Sequence, residues 1–445
     1  MWNNRYKEFL FSPIAVLANF TFFCQIPYFF GEDIVNARTD YLSGPRIDFW
    51  GGTSSLVYGY FPSFGLRWQI SLALVQILIT AVGLNRIFSR PLEFNRNNLL
   101  GLFICYSALI LGSQMTRDGL MFSLLTFGIG ILKSVATAKL SNFQLVIGIM
   151  IIVFAMSFRP WTALAIVPLI YIIFHHSKLA LPKFINLTLI LSISLLPIAL
   201  DVAASKSLRL EKSYPAQQVL LMDAAATFCY TTNSVTGEKA KYILTLFSDS
   251  ERFPEIVCNV FRPDTWVSLK NAERLPSLTD EFNFHLIAPG EEKKFSRLVH
   301  EWRKLVLTDP ISYFQNKIIF GGKLLVGSDT RGLSFLSQDS TRNRILAMYR
   351  IPYELAISLH LYSIAASIIY LLLLPIRKFI RNLEDGLKLD RISIFLIFSQ
   401  LLWLWLSSIA YIGSNGRYTY TVVLLSSALY LGLKTDSKAI GTDNV

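Results

Sequence analysis

The sequence predicts an all-α polytopic membrane protein, with about ten transmembrane helices and a mostly helical extracytoplasmic domain. Three observations carry that fold class. The 445 residues are 53% hydrophobic and only 16% charged, too apolar for one ordinary soluble domain. The apolar residues gather into runs of roughly 17 to 25, flanked by Arg, Lys, Trp or Tyr, as a hydrocarbon core of about 30 Å demands. The basic residues behind the net charge of +12 fall mainly in short loops beside those runs. Membrane topology and anionic lipid headgroups explain that placement, and nucleic acid is not an expected partner.

Segment 1–9 holds Arg5 and Lys7 and is assigned to the cytoplasm. Span one, about 11–30, has no small-residue cleavage site and is expected to remain as an anchor. The stretch 31–65 follows as the first outer loop, with Glu32, Asp33, Asp40 and Asp48 ahead of a Gly/Ser/Tyr-rich run. Span two, about 66–88, opens with Trp68 as an interfacial anchor and returns at Arg86, Arg90 and Arg96. Span three, about 99–113, ends at the turn Gln114-Met115-Thr116-Arg117-Asp118-Gly119. Span four, about 120–132, leads to a cytoplasmic loop with Lys133 and Lys139. Span five, about 143–158, turns at Arg159-Pro160-Trp161, and span six, about 163–174, exits into His175, His176 and Lys178. Span seven, about 184–203, completes an N-terminal membrane domain at 1–204.

A hydrophilic extracytoplasmic domain spans 205–352, and C-terminal membrane helices fill 353–445. In the latter, span eight is about 353–374 and leads into a basic loop with Arg377, Lys378, Arg381, Lys388 and Arg391. Spans nine and ten, about 392–411 and 420–433, flank the turn Gly416-Arg417-Tyr418. Lys and Arg in short loops and termini divide sixteen to six by parity, the six being Arg38, Arg46, Arg67, Arg117, Arg159 and Arg417. The positive-inside rule then puts both termini in the cytoplasm of an inner-membrane protein. It turns the acidic loop, the Arg117-Asp118, Arg159 and Arg417 turns and the large domain outward.

Apolar stretches 242–247, 256–261 and 314–326 argue that the outer domain is folded, with Pro215, Pro254, Pro263 and Pro276 punctuating short helices. Helical spacing over 295–317, broken at Asp309-Pro310, predicts a helix, a break and a second helix toward the membrane surface. Segment 318–326 is too short to span, which suits an interfacial or re-entrant piece. Cys229 and Cys258 both fall in this domain, as one disulfide or two free thiols. No Cys/His cluster has metal-ligand spacing, so no zinc site is expected, and no Walker loop or GxGxxG follows a strand.

Carboxylates at the rim of a membrane domain are costly to keep near lipid and default to a functional hypothesis. A lipid-linked phosphate entering from the bilayer needs cations at its leaving group and a carboxylate to take a proton from an acceptor hydroxyl. Asp48, Asp33 or Asp40 are the candidate bases, with Asp118 a second candidate or a metal ligand. Arg117, Arg159, Arg417 and Arg303 are the candidate phosphate cations, since a guanidinium fork engages two oxygens at once. Trp50, Tyr58, Tyr60, Trp161 and Tyr418 are placed to stack on a sugar or to form an aromatic belt.

The order of these features resembles the GT-C superfamily of multi-span glycosyltransferases. The acidic first outer loop, the Arg117-Asp118 pair, Arg159-Pro160 and the late Arg417-Tyr418 each match a family position, and 302–320 resembles a Trp…Pro…Tyr stretch of bacterial members. The first loop departs from the frequent Asp-His-His-Pro pattern, reading Asp48-Phe49-Trp50-Gly51. The resemblance implies an inverting transfer of a sugar from a polyprenyl-phosphate donor to a cell-envelope glycan or lipid acceptor. It names no certain cofactor beyond an optional divalent metal. A polysaccharide polymerase or ligase acting on undecaprenyl-diphosphate glycans is the alternative, with arginines in place of an essential carboxylate. A transporter would carry mid-span charges and an internal repeat, and neither is evident.

Overall fold

The computed structural model describes residues 12–25, 38, 51–61, 68–88, 92, 98–113, 117–137, 142–176, 183–248, 250, 253–261, 285–326 and 423–432. Among these residues the protein is all-helical. In the segment expected to lie in the membrane, α1 is Pro13–Gln25, α2 Gly52–Tyr60, α3 Trp68–Ile87, α4 Leu99–Ser113 and α5 Arg117–Thr137. Helix α6 is Asn142–Ser157, a 3-10 turn covers Pro160–Thr162, and α7 (Ala163–His176) and α8 (Lys183–Ser207) follow. The segment expected to form the outer domain holds α9 (Gln217–Tyr230), α10 (Ser234–Thr245), α11 (Phe253–Val260), α12 (Glu292–Thr308) and α13 (Pro310–Val326). Helix α14 covers 423–432. The expected sites Asp33, Asp40, Asp48, Arg417 and Tyr418, and spans eight and nine, lie outside the described residues.

Helix α3 is long and apolar enough to cross a membrane, over Ile70–Ile87. Helices α4, α6 and α7 contain shorter apolar stretches, Leu99–Ser113, Phe143–Ser157 and Ala163–Phe174. Small residues set a close crossing between α3 and α5. A Cβ added at Gly83 would lie 2.7 Å from the backbone of Thr126 and Phe127, and one at Gly130 would lie 2.6 Å from Gly83 O. Backbones approach this closely only where no side chain intervenes. One apolar core runs through α1 to α8 and includes Leu424, Leu425, Ala428 and Leu429 of α14.

Two sequence expectations change here. The Gly/Ser/Tyr-rich run was expected within a loop, yet 52–60 is a helix with Gly52, Thr53, Ser54, Ser55 and Tyr58 buried. Its composition reads as loop-like, but tertiary packing decides. Lys133 was expected in a cytoplasmic loop; it lies within α5, fully buried, and its Nζ donates to Ile87 O at the end of α3. That carbonyl has no partner within its own helix, so the ammonium caps it.

Helices α9 to α12 have a separate core, formed by Leu221, Ile243, Leu244, Phe247, Phe253, Val257, Leu298 and their neighbours. Cys229 and Cys258 form a disulfide, with Cα atoms 5.4 Å apart, and so join α9 to α11. The break at Asp309-Pro310 is where the sequence places it. Asp309 accepts from Ser312 N at 3.0 Å and from Ser312 Oγ at 2.7 Å, capping α13 one residue before a proline that suits the first helical position.

Candidate functional site

Asp118 and Arg159 meet at the bundle end where α5 begins and α6 finishes. Asp118 is the second residue of α5, where the helix dipole favours a carboxylate. Arg159 lies in the turn after α6, its N–H donating to Met156 O at 2.9 Å. Its Nε faces Asp118 Oδ1 and its Nη2 donates to Asp118 Oδ2 at 3.2 Å, a two-pronged guanidinium–carboxylate contact. The Asp118 side chain is 1% exposed and that of Arg159 12%. Charges buried this deeply depend on each other, because either alone would be stranded away from water.

The backbone around the pair is fixed by hydroxyl contacts. Ser123 Oγ lies 2.9 Å from the carbonyl oxygens of Gly112 and Gly119 and accepts from Thr80 Oγ1 at 3.0 Å. These contacts tie the neighbouring ends of α4 and α5 to α3.

Helix α2 lies beside the same turn. The Tyr58 ring sits 6.3 Å from that of Phe158, the residue before Arg159. At the start of α2, Asp201 of α8 accepts from Thr53 N at 2.9 Å. At its end, Arg38 Nη1 donates to the carbonyls of Tyr58 and Phe61 at 2.8 and 3.2 Å. A carboxylate at the first turn and a guanidinium at the last both complement the helix dipole. Gly51, at φ +83°, and Gly52 permit this seat: a Cβ on Gly52 would lie 2.2 Å from Ser205 N. Three guanidinium groups (Arg38, Arg117, Arg159) and two carboxylates (Asp118, Asp201) therefore stand at one end of the bundle. Lys133 marks the other.

Of the expected phosphate cations, Arg159 is in this cluster and Arg117 is the first residue of α5. Arg303 is not part of it: it lies exposed on α12 of the outer domain. Tyr58 was a candidate for stacking on a sugar, but its burial leaves no face for a ligand, whereas Tyr60 is 67% exposed. Asp201 was not among the expected residues. Its signal was a lone carboxylate near the end of an apolar run, which the sequence reading placed inside span seven.

The α9–α13 segment holds a second buried pair. Lys317 Nζ of α13 lies 2.6 Å from Asp223 Oδ1 of α9, with side chains 5% and 2% exposed. Trp302 Nε1 donates to Asp223 Oδ2 at 3.1 Å, and the Tyr313 ring meets Trp302 edge-on at 5.9 Å. Burial drives the Asp223 carboxyl above its ordinary value, against the pull of Lys317 and Trp302. Burial and then the Asp223 charge push the Tyr313 phenol up. An open cleft of about 810 Å³, lined by Glu211, Lys212, Tyr214 and 289–294, shares no residue with either pair. Among the described residues no three His, Cys, Asp or Glu side chains come together as metal ligands would. No family model, no curated protein and no solved structure matches the chain.

Proposed function

We propose that this chain is a multi-pass membrane glycosyltransferase. It moves a sugar from a polyprenyl-phosphate donor to a cell-envelope glycan or lipid acceptor, at the face where α5 begins. The observation that carries the reading is the Asp118–Arg159 contact, formed between residues 41 positions apart at one bundle end. The excess of guanidinium over carboxylate in the described cluster suits a phosphate. The bilayer has support of its own. Phe143, Val146, Met150 and Phe154 of α6 and Leu191, Leu195, Ile198 and Val202 of α8 form exposed apolar stripes at helical spacing. Each stripe would be an aggregation surface in water and is an ordinary one in lipid.

In the reaction, a carboxylate takes the proton of the acceptor hydroxyl as its oxygen bonds to the anomeric carbon. The bond from that carbon to the phosphate oxygen breaks on the opposite side, and the configuration inverts. Arg117 and Arg159 take up the charge of the departing polyprenyl phosphate. Asp118 is committed to Arg159 and orients it, which leaves the proton to Asp48, Asp33 or Asp40. The same commitment favours a second reading, a polymerase or ligase on undecaprenyl-diphosphate glycans in which arginines act without an essential carboxylate.

Envelope glycans from cells lacking the protein, complemented with variants, test both. Loss of product with both Arg159→Lys and Asp48→Asn supports the transferase. Loss with Arg159→Lys alone, Asp33→Asn and Asp40→Asn being active as well, supports the second reading. Full activity of Arg159→Ala overturns both.

A further inference from the structure

Helix α13 shows two faces that its anchoring keeps apart. Asn316 and Lys317 are buried toward α9, and the Lys317–Asp223 pair fixes the rotation of the helix about its own axis. The opposite arc then carries Ile311, Phe314, Ile318 and Ile319 at 70%, 52%, 72% and 45% exposure. At 100° per residue, these four and exposed Gln315 fall on one side of the helix, with no charge among them. Just before the break, Leu307 is 81% exposed, with Arg303, also exposed, one turn earlier. Nearby carboxylates are engaged: Glu301 with Lys304 at 3.0 Å, and Asp309 with the start of α13.

We propose that this face of α13 lies in the membrane interface. Ile311, Phe314, Ile318 and Leu307 enter the headgroup–acyl boundary of the outer leaflet, and Arg303 binds a lipid phosphate above them. An apolar arc with a neighbouring cation and no exposed acid on it fits an anionic lipid surface, which supplies hydrocarbon and phosphate side by side. It also continues the chemistry of the exposed stripes on α6 and α8. The Asp223–Lys317 pair thereby acquires a role: it holds α13 with its apolar side toward lipid. This inference needs the bilayer but not the transfer chemistry.

The test uses the full chain reconstituted into phosphatidylcholine–phosphatidylglycerol vesicles. An environment-sensitive nitrobenzoxadiazole dye is attached at Phe314→Cys, Ile318→Cys, Met150→Cys or Lys293→Cys, with nitroxide-labelled lipids as quenchers. Lys293 is exposed at the far end of α12, about 20 Å from Leu307. The dye at positions 314 and 318 is expected to lose about half its emission to a nitroxide high on the acyl chain, as suits burial of ~5–10 Å. The dye at Met150 should respond to a deep nitroxide and the dye at Lys293 to neither. Quenching at Met150 but not at positions 314 and 318 overturns the proposal and leaves the membrane bundle standing. A blue-shifted dye at 314 without lipid quenching means that protein, another part of this chain or a second copy, covers the face, and also overturns it. No quenching at Met150 removes the bilayer itself.

Discussion

At the scale of single residues, two carboxylates with the same chemistry carry different structural duties. Asp118 is enclosed with Arg159, so removing either partner strands a charge. Arg159→Ala and Asp118→Ala should each destabilise the protein by about 3–5 kcal/mol, read as the loss of thermal stability in detergent. Arg159→Lys keeps the charge but loses the fork, and should recover stability better than it recovers glycan product. Asp309, at the start of α13, is held below the usual carboxylate range, first by the N–H of Ser312 and then by its hydroxyl. A value lower in the folded state makes the cap's contribution full above about pH 4, the unfolded value. That contribution is then lost as pH falls through the folded-state value. Asp309→Ala should cost about 1 kcal/mol near neutrality. Urea unfolding followed by tryptophan fluorescence should show that difference shrinking as the solution is acidified.

At the scale of elements, α2 depends on close approach and α13 on a buried pair. A Cβ at Gly52 would strike the backbone N of Ser205, which cannot step aside as a side-chain tip could. Gly52→Val should therefore lower stability by about 1–3 kcal/mol or more, whereas Gly237→Ala, whose nearest neighbour is at 3.6 Å, serves as the lenient control. For α13, Asp223→Ala or Lys317→Ala alone leaves an uncompensated buried charge and should cost about 3–5 kcal/mol. The double variant Asp223→Ala with Lys317→Ala should cost clearly less than the two single losses combined, a coupling that a double-mutant cycle measures. Element boundaries were largely legible: continuous apolar runs gave α3, α4 and α6, and Asp309-Pro310 gave the start of α13. Helix α2 was not, because Gly and Ser signal a loop from local propensity. What makes 52–60 helical is a carboxylate 148 residues away and a seat on α8. The Asp223–Lys317 pair was hidden for the same reason, since each residue alone looks like a solvated charge on a polar domain.

At the scale of the whole molecule, the distribution of cations and the disulfide bear on one question, which side of the proposed bilayer each end of the bundle would face. The sequence gathers its Lys and Arg toward the loops on the Lys133 side. The structure puts the Asp118–Arg159 cluster at the opposite end and closes Cys229 to Cys258 in the outer domain. A stable disulfide belongs to an oxidising compartment, and cations in short loops belong to the cytoplasm, so two unrelated physical effects predict one orientation. The chain-entropy account of a cross-link over 29 residues gives about 3–4 kcal/mol to the outer domain. Cys229→Ser should therefore lower its unfolding midpoint, and a reductant should do the same to the unaltered chain. In sealed right-side-out vesicles, an impermeant maleimide should label a cysteine placed at exposed Lys293, and should reach one placed at Lys388 only after lysis. Cys229 and Cys258 should stay unreactive until reduced. Labelling of both introduced cysteines in sealed vesicles would put the outer domain and the basic loop on one face. An enzyme that meets its lipid-borne phosphate at the Asp118–Arg159 end would then have to be argued without the charge asymmetry that oriented it.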